Sequence, residues 1–375
     1  MSSSKLPTSS SRPSPSESTI KQLAQCGVPV ESLLDACKSC EHDCQEGDEG
    51  EEGDSYPKGF DVDLNSEMLG SFKGFARQVV ISTGKSDWVR EVTDEQDSIA
   101  QFIRDEYQSS QSTLSTKPSF LNKLARKFSS NVNLSIPSET APPGVLSQSS
   151  SDSLSILNSS FVSSSHHGHK ESVMIFPDYK VVHDVEAKKE VAEEMVAQYL
   201  SSEAGRVGRG ETTGSSSLKS WPLPYRAVIL LCSHRKRDNR CSIAAPLLAH
   251  QFHHHLHKHD LEVDETGEDL EDGEPIEEWS GTVEEKEARM EEMLKKSSNR
   301  LGMFKVSHVG GHRYAGNVAI YFPNGTCIYL GRVRPQDVGV IVDRTIMEGK
   351  VIPEFLRGGI NVSSKSDKER GVLDW

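Results

Sequence analysis

The hydrophobic residues of this 375-residue chain fall in short blocks separated by long polar stretches. The first block with a strand pattern is QVVIST, inside GFARQVVISTG, and Gly84 ends it. SDWVREVTDEQDSIAQFIRDEYQ predicts a helix. Ser86 or Asp87 is its N-cap, and Ile99, Phe102 and Ile103 recur at helical spacing. ESVMIFPDYKVVHDV predicts a strand and then an extended segment. EAKKEVAEEMVAQYLSSE is an amphipathic helix that turns Val191, Met195 and Leu200 toward a core. In the second half AVILL predicts a buried strand with Cys232 at its C-terminal end. SIAAPLLAHQFHHHLHKH predicts a helix, MFKVSHV a strand, and NVAIYF and TCIYLG a hairpin turning at Pro323-Asn324-Gly325. DVGVIVDRTIMEGK closes the series as a helix. The order β-α-β-β-α is the core of a thioredoxin-like fold, so the fold class is α/β.

The polar stretches set the domain organisation. Residues 1–54 form a Ser/Pro-rich, then Cys-rich and acidic arm, expected to be disordered. An N-terminal thioredoxin-like lobe spans 55–204 and carries a flexible Ser-rich insertion at 108–170. A Gly/Ser linker covers 205–219. The C-terminal lobe, 220–362, contains a solvated acidic insertion at 260–292, and a polar tail, 363–375, ends in Leu373-Asp374-Trp375. The low hydrophobic content, 35%, against 26% charged residues fits a chain that is only partly folded. A net charge of −14 without a basic stripe argues against a nucleic-acid partner. No apolar run approaches the ~18 residues of a membrane span, and the N-terminus lacks the apolar core of a secretory signal. Seven cysteines in such a chain point to a reducing compartment and to thiols that are reduced or metal-bound.

Two short motifs carry chemistry. In CSHRKRDNRC, Cys232 ends a strand and Cys241 opens a helix, where the helix dipole favours thiolate. The basic residues between them are expected to lower both thiol pKa values. In HVGGH the adjacent glycines argue against a helix and allow a loop that turns His308 and His312 toward one point. Strand pairing could bring this loop beside the cysteines. Two thiolates and two imidazoles suit either a closed tetrahedral zinc site or a 2Fe–2S cluster with Cys on one iron and His on the other. His234 is a rival ligand in a Cys-x-His pattern, but Cys241 has no matching histidine after it.

RAVILLCSHRKRDNRCSIAAPLL, SHVGGHRYAGNVAIYFPNG and LGRVRPQDVGVIV together resemble the sucrase/ferredoxin-like family. LGSFKGFARQVVISTGKSDWVREV is similar to the segment that family carries ahead of its ferredoxin domain. The resemblance implies a thioredoxin-like ferredoxin preceded by a degenerate thioredoxin-like lobe, with STGKSDW where a redox motif would fall. It further implies a 2Fe–2S cluster held by Cys232 and Cys241 on one iron and by His308 and His312 on the other. Neutral imidazoles make such a cluster less negative and raise its potential, and their protons couple electron transfer to pH. The implied protein is a one-electron carrier more than an enzyme, linked to oxidative-stress tolerance and actin organisation. Arg235, Lys236, Arg237 and Arg240 would attract an acidic redox partner and raise the potential further. The terminal LDW is similar to the tripeptide by which client proteins engage the cytosolic iron–sulfur targeting complex. Leu373, Asp374 and Trp375 are therefore expected to be exposed partner-binding residues, and the cytoplasm the expected location, with the nucleus as a second one.

Other histidines and cysteines have plainer readings. Cys26, Cys37, Cys40 and Cys44, with His42, are read first as thiols of a mobile arm and second as a zinc site. HQFHHHLHKH is a run that binds metals loosely, and Cys327 a buried strand cysteine. Two rival functions stay open. One is a zinc-stabilised adaptor, the other a thiol-disulfide oxidoreductase using the N-terminal cysteines. No pair of carboxylates is placed for glycoside hydrolysis.

Overall fold

The computed structural model describes residues 14–38, 55–115, 142–163, 170–209, 217–296, 298–363 and 370–374. In chain order its elements are α1 (Glu17–Gln25), α2 (Leu33–Lys38), β1 (Arg77–Ser82), α3 (Ile99–Ser115), β2 (Val145–Leu146), β3 (Leu154–Ser159), β4 (Lys170–Phe176) and β5 (Lys180–Glu186). There follow α4 (Lys189–Met195, continued by a π turn to Leu200), β6 (Lys219–Pro222), β7 (Val228–Cys232), α5 (Asn239–His257), β8 (Glu262–Asp264), α6 (Val283–Lys295) and β9 (Arg300–Val306). The chain ends with β10 (Val318–Tyr321), β11 (Cys327–Leu330), α7 (Val338–Val340, continued by a π stretch to Met347) and β12 (Leu356–Ile360).

The twelve strands among the described residues belong to one mixed sheet. In the C-terminal half the order is β9-β7-β10-β11, with β7 and β9 parallel and β10 antiparallel to β7. In the N-terminal half it is β3-β1-β4-β5, with β1 and β3 parallel and β4 antiparallel to β1. The two halves thus repeat one topology. They join through a single antiparallel residue pair, Ser159 with Val306, at the last residues of β3 and β9. Strands of opposite direction that meet only at these ends bring the carboxyl ends of both halves to one seam.

Period-two alternation explains the packing, because both faces of most strands are covered. Ile229, Leu231, Ile320 and Ile328 face a core closed by α5 and α7. Val79, Ile81, Val173 and Ile175 face a second core closed by α3 and α4. Val80, Leu157, Val228, Leu230 and Phe304 share a third core on the remaining side, which runs across the seam.

Several polar stretches are structured, contrary to expectation. The Ser-rich stretch contains β3, a central strand, although 116–141 and 164–169 lie outside the described residues. Its polar groups bond to the neighbouring half: the backbone N–H of Asn158 donates to Ser307 Oγ at 3.0 Å, and Ser159 Oγ to Lys305 O at 3.1 Å. The acidic stretch is not merely solvated. It supplies β8 and α6, and it buries Leu270, Ile276, Trp279 and Met290 over the shared core. Its acidic residues bias one face outward while these few large apolar residues fix the other. In the N-terminal arm, α1 and α2 bury Leu23 and Ala36 against the C-terminal half, and Val30 pairs with Val351. Of the linker, Gly205 pairs with Gly208 and Leu218 is buried.

The helix expected from Ser86 starts only at Ile99. Ser98 Oγ accepts from Gln101 N at 3.1 Å, the cap that neither Ser86 nor Asp87 provides. Trp88 explains the delay. It is buried, and its indole N–H donates to Thr83 Oγ1 at 2.8 Å, which holds 84–92 as a folded loop.

If β3 is integral, Leu157→Ala costs about 2–5 kcal/mol of unfolding free energy. Urea denaturation of the full chain reads this; a midpoint equal to the parent's would mean that the segment contributes nothing to the sheet.

Candidate metal centre

The site stands at the seam, outside the carboxyl ends of β7 and β9, the position where open α/β sheets bind ligands. Cys232 is the last residue of β7 and Cys241 lies in the first turn of α5; both are buried and neither is in a disulfide. Asp238 caps α5, accepting from Arg240 N at 2.9 Å. The intervening loop is clamped by the N-terminal half. Ser233 Oγ donates to Ser86 O at 2.9 Å, His234 Nε2 to Trp88 O at 3.1 Å, and Lys236 N to Asp87 Oδ1 at 3.2 Å, while Arg237 pairs with Glu91. STGKSDW therefore forms a wall of this site. His234 spends Nε2 on that wall, and its Nδ1 is buried without a hydrogen-bond partner.

β9 leads into HVGGH. Gly310 and Gly311 have φ of 78° and 66°, the left-handed region that glycine enters at low cost. Two such residues in succession fold the loop back, so that the rings of His308 and His312 stand 5.6 Å apart. Cys232 contacts Cys241, His308 and the N–H of Val309. The structure thus brings Cys232, Cys241 and His308 into contact and sets His312 beside His308. The two halves of the group differ in environment. The thiols are buried, His308 is half-buried and His312 is exposed. Among the described residues no three His, Cys, Asp or Glu side chains are grouped around one metal-ion position.

The thiols do not titrate alike, contrary to the expectation that the basic loop lowers both. The Cys241 thiol, by hydrogen bonding to Cys232, holds Cys232 well below the usual thiol range against the effect of burial; His308 and Val309 N–H add to this. The same hydrogen bond and burial push Cys241 far up. The basic side chains are partly committed elsewhere: Arg240 to Asp238 at 2.7 Å, and Arg237 to Glu91. Arg235 and Lys236 are exposed.

Asn317 and Arg357 are site residues that sequence reasoning missed. Asn317 O accepts from Cys232 N at 3.2 Å, and Asn317 Nδ2 donates to Gly311 O at 3.1 Å, so this residue ties the cysteine strand to the histidine loop. Arg357 Nη1 donates to Gly310 O at 3.1 Å and to Asn317 Oδ1 at 2.9 Å. An arginine followed by two glycines within a strand, LRGGI, was the available signal.

The remaining candidates lie apart. Cys26 is half-buried after α1, Cys37 is exposed on α2, and Cys40, Cys44 and His42 lie outside the described residues. Cys327 is buried in β11, as expected. His250, His253, His254 and His257 line a surface groove with Glu262. The tail is not fully exposed: Val372 is buried, Leu373 and Asp374 are half-buried, and Asn324 Nδ2 donates to Val372 O at 2.6 Å and Asp374 O at 2.9 Å. Trp375 lies outside the described residues. No helix among the described residues is long and apolar enough to cross a membrane.

The sequence model of a family described as sucrase/ferredoxin-like matches residues 68–358. "Altered inheritance of mitochondria protein 32" of Debaryomyces hansenii is 29% identical over 210 residues, covering 52% of this chain and 61% of that one. The protein of the same name from Meyerozyma guilliermondii is 32% identical over 135 residues, covering 36% of this chain and 35% of that one. "Actin patches distal protein 1" of Saccharomyces cerevisiae is 30% identical over 183 residues, covering 48% of each chain. The chain thus spans between about a third and three fifths of the length of these relatives. No solved structure matches it.

A Cβ at Gly311 would lie 2.4 Å from Arg357 Nη2, besides the cost of a left-handed φ. Gly311→Ala is therefore expected to cost about 1–2 kcal/mol from the backbone alone and to part the two imidazoles. Urea unfolding measures the first, and the chemical shifts of the His308 and His312 rings report the second; unchanged values for both would show that the loop tolerates a side chain.

Proposed function

Because the chain belongs to the sucrase/ferredoxin-like family, we propose that it is a one-electron carrier whose 2Fe–2S cluster is held by Cys232 and Cys241 on one iron and by His308 and His312 on the other. The observation that carries this reading is the convergence of two buried thiols and two neighbouring imidazoles at one seam. The donor set fits the group. A cluster takes its ligands in pairs on two irons, whereas zinc takes four around one point. Cys232 is hydrogen-bonded to both Cys241 and His308, and the His308 and His312 rings stand 5.6 Å apart. His308 Nδ1 is buried without a hydrogen-bond partner, a donor atom that a metal would satisfy.

When bound, the cluster supplies one-electron redox chemistry at a potential raised by its imidazole ligands and sensitive to pH. The chain's own residues divide the remaining tasks. Cys232 and Cys241 would both bind as thiolates, Val309 N–H donates toward the Cys232 sulfur, and the N-terminal half covers the cysteine side. The exposed His312, with Arg313, Arg235 and Lys236 also exposed, forms the edge at which an acidic redox partner would dock. The strand order β9-β7-β10-β11, followed by α7, supports a thioredoxin-like reading of the C-terminal half, and β3-β1-β4-β5 with α4 the same reading of the other. Capture by the cytosolic iron–sulfur targeting complex through Leu373, Asp374 and Trp375 would involve loosening the hold of Asn324 on the tail. This function belongs to a cytoplasmic protein engaged in redox homeostasis.

Protein purified without oxygen is expected to be red-brown and to contain about two irons and two acid-labile sulfides per chain. Cys232→Ser or Cys241→Ser loses the cluster; His308→Ala or His312→Ala destabilises it and shifts its visible bands. A colourless chain carrying one zinc, with failed reconstitution by iron and sulfide, would overturn the proposal in favour of a zinc-stabilised adaptor.

A further inference from the structure

Arg357 is among the largest fully buried side chains of the molecule, at 1% exposure. Its partners are all neutral. Nη1 donates to Gly310 O and Asn317 Oδ1, Nε to Ser71 Oγ at 3.2 Å, and Nη2 reaches Ser71 O at 3.4 Å. Among the described residues no carboxylate forms an ion pair with it. A guanidinium stays charged in proteins, and a buried charge without a counter-charge costs several kcal/mol. Such a residue persists where something negative faces it.

The fold goes to some length to place this charge. Leu330 pairs with Leu356 but Tyr329 pairs with Gly358, so Arg357 is the extra residue of a β-bulge. Bulges re-aim a side chain, and this one sends Arg357 toward the site. Glycines clear its path. A Cβ at Gly331 would lie 2.8 Å from Arg357 Cδ, and one at Gly311 2.5 Å from its Cζ. At the end of that path lie Gly310 O, in the loop between the two histidines, and Asn317, whose carbonyl accepts from Cys232 N. The rim cations cannot substitute. Arg237 and Arg240 are paired with carboxylates, and Arg235 and Lys236 are in solvent, where salt screens them.

Resting on the ligand set proposed above, we infer that Arg357 is the positioning residue and buried counter-cation of the cluster: it holds the His308–His312 loop through Gly310 O and stabilises the more negative, reduced state. The charge acts at short range in a water-poor seam, so its removal lowers the reduction potential. Arg357→Lys keeps the charge but not the fork. It retains most of the potential and loosens the loop.

The experiment is a redox titration, followed by visible and electron paramagnetic resonance spectra, of the full chain reconstituted with iron and sulfide. Wild type, Arg357→Gln, Arg357→Lys and Asn317→Asp are compared. The last variant leaves Arg357 in place but sets a carboxylate against it at the position of Asn317 Oδ1. Arg357→Gln and Asn317→Asp are each expected to disfavour reduction at least tenfold, which is about 59 mV for one electron, while Arg357→Lys stays near wild type. If Arg357→Gln does not fold, Asn317→Asp decides. A cluster present at the wild-type potential in Asn317→Asp, or in Arg357→Gln, overturns the inference and leaves the cluster reading standing. A wild-type chain that takes up no iron and sulfide defeats the cluster reading instead.

Discussion

The organisation of this molecule depends on the single residue pair by which β3 meets β9. Had the two edges paired along their length, the sheet would have continued without a break and the carboxyl ends would have lain at opposite margins. Because only the last residues of each strand pair, both carboxyl ends arrive at one seam. Every polar group of interest follows from that: the Cys232–Cys241 loop from one half, the Ser86–Glu91 wall from the other, and the histidine loop between them. The shared core runs beneath the seam, from Val80 and Leu157 to Leu230 and Phe304.

The site is two-sided. Its thiols are buried and share a hydrogen bond that splits their acidities. Its imidazoles reach the surface. For the proposed carrier this polarity has a direct meaning: the anchoring ligands are shielded from solvent and oxidants, and the ligands that gate electrons and protons meet the partner. The chain is acidic overall, yet Arg313, next to His312, and Arg235 and Lys236, in the cysteine loop, are exposed cations. A local cationic patch on an acidic body selects by orientation as well as by charge, since a partner docked elsewhere is repelled.

The topology of the N-terminal half repeats that of the C-terminal half, but its loop after β1 carries no cysteine. Thr83 and Trp88 fold that loop so that its backbone carbonyls and Asp87 serve the neighbouring half. The loop after β1 thus supports the Cys232–Cys241 loop of the neighbouring half.

The sequence by itself determined the strands and helices whose apolar residues recur with a clear period: β1, β7, β9, the β10–β11 hairpin and α4. It also singled out Cys232, Cys241, His308 and His312 as candidates, because cysteine and histidine spacing is local information and a family resemblance covers both motifs. It concealed elements whose partners lie far along the chain. β3 hides in serines because the Ser159 hydroxyl and the backbone N–H of Asn158 find their partners in Lys305 and Ser307, more than 140 residues on. The acidic cover over the shared core is built by a few large side chains whose faces are defined only by the sheet beneath them. The delayed start of α3 depends on Trp88 finding Thr83. The LRGGI stretch marks Arg357 as unusual but not where it points; a bulge against β11 and glycines in two other segments aim it at the site. Burial, cross-strand partners and the placement of charge are properties of contacts between distant residues, and tertiary structure alone decides them.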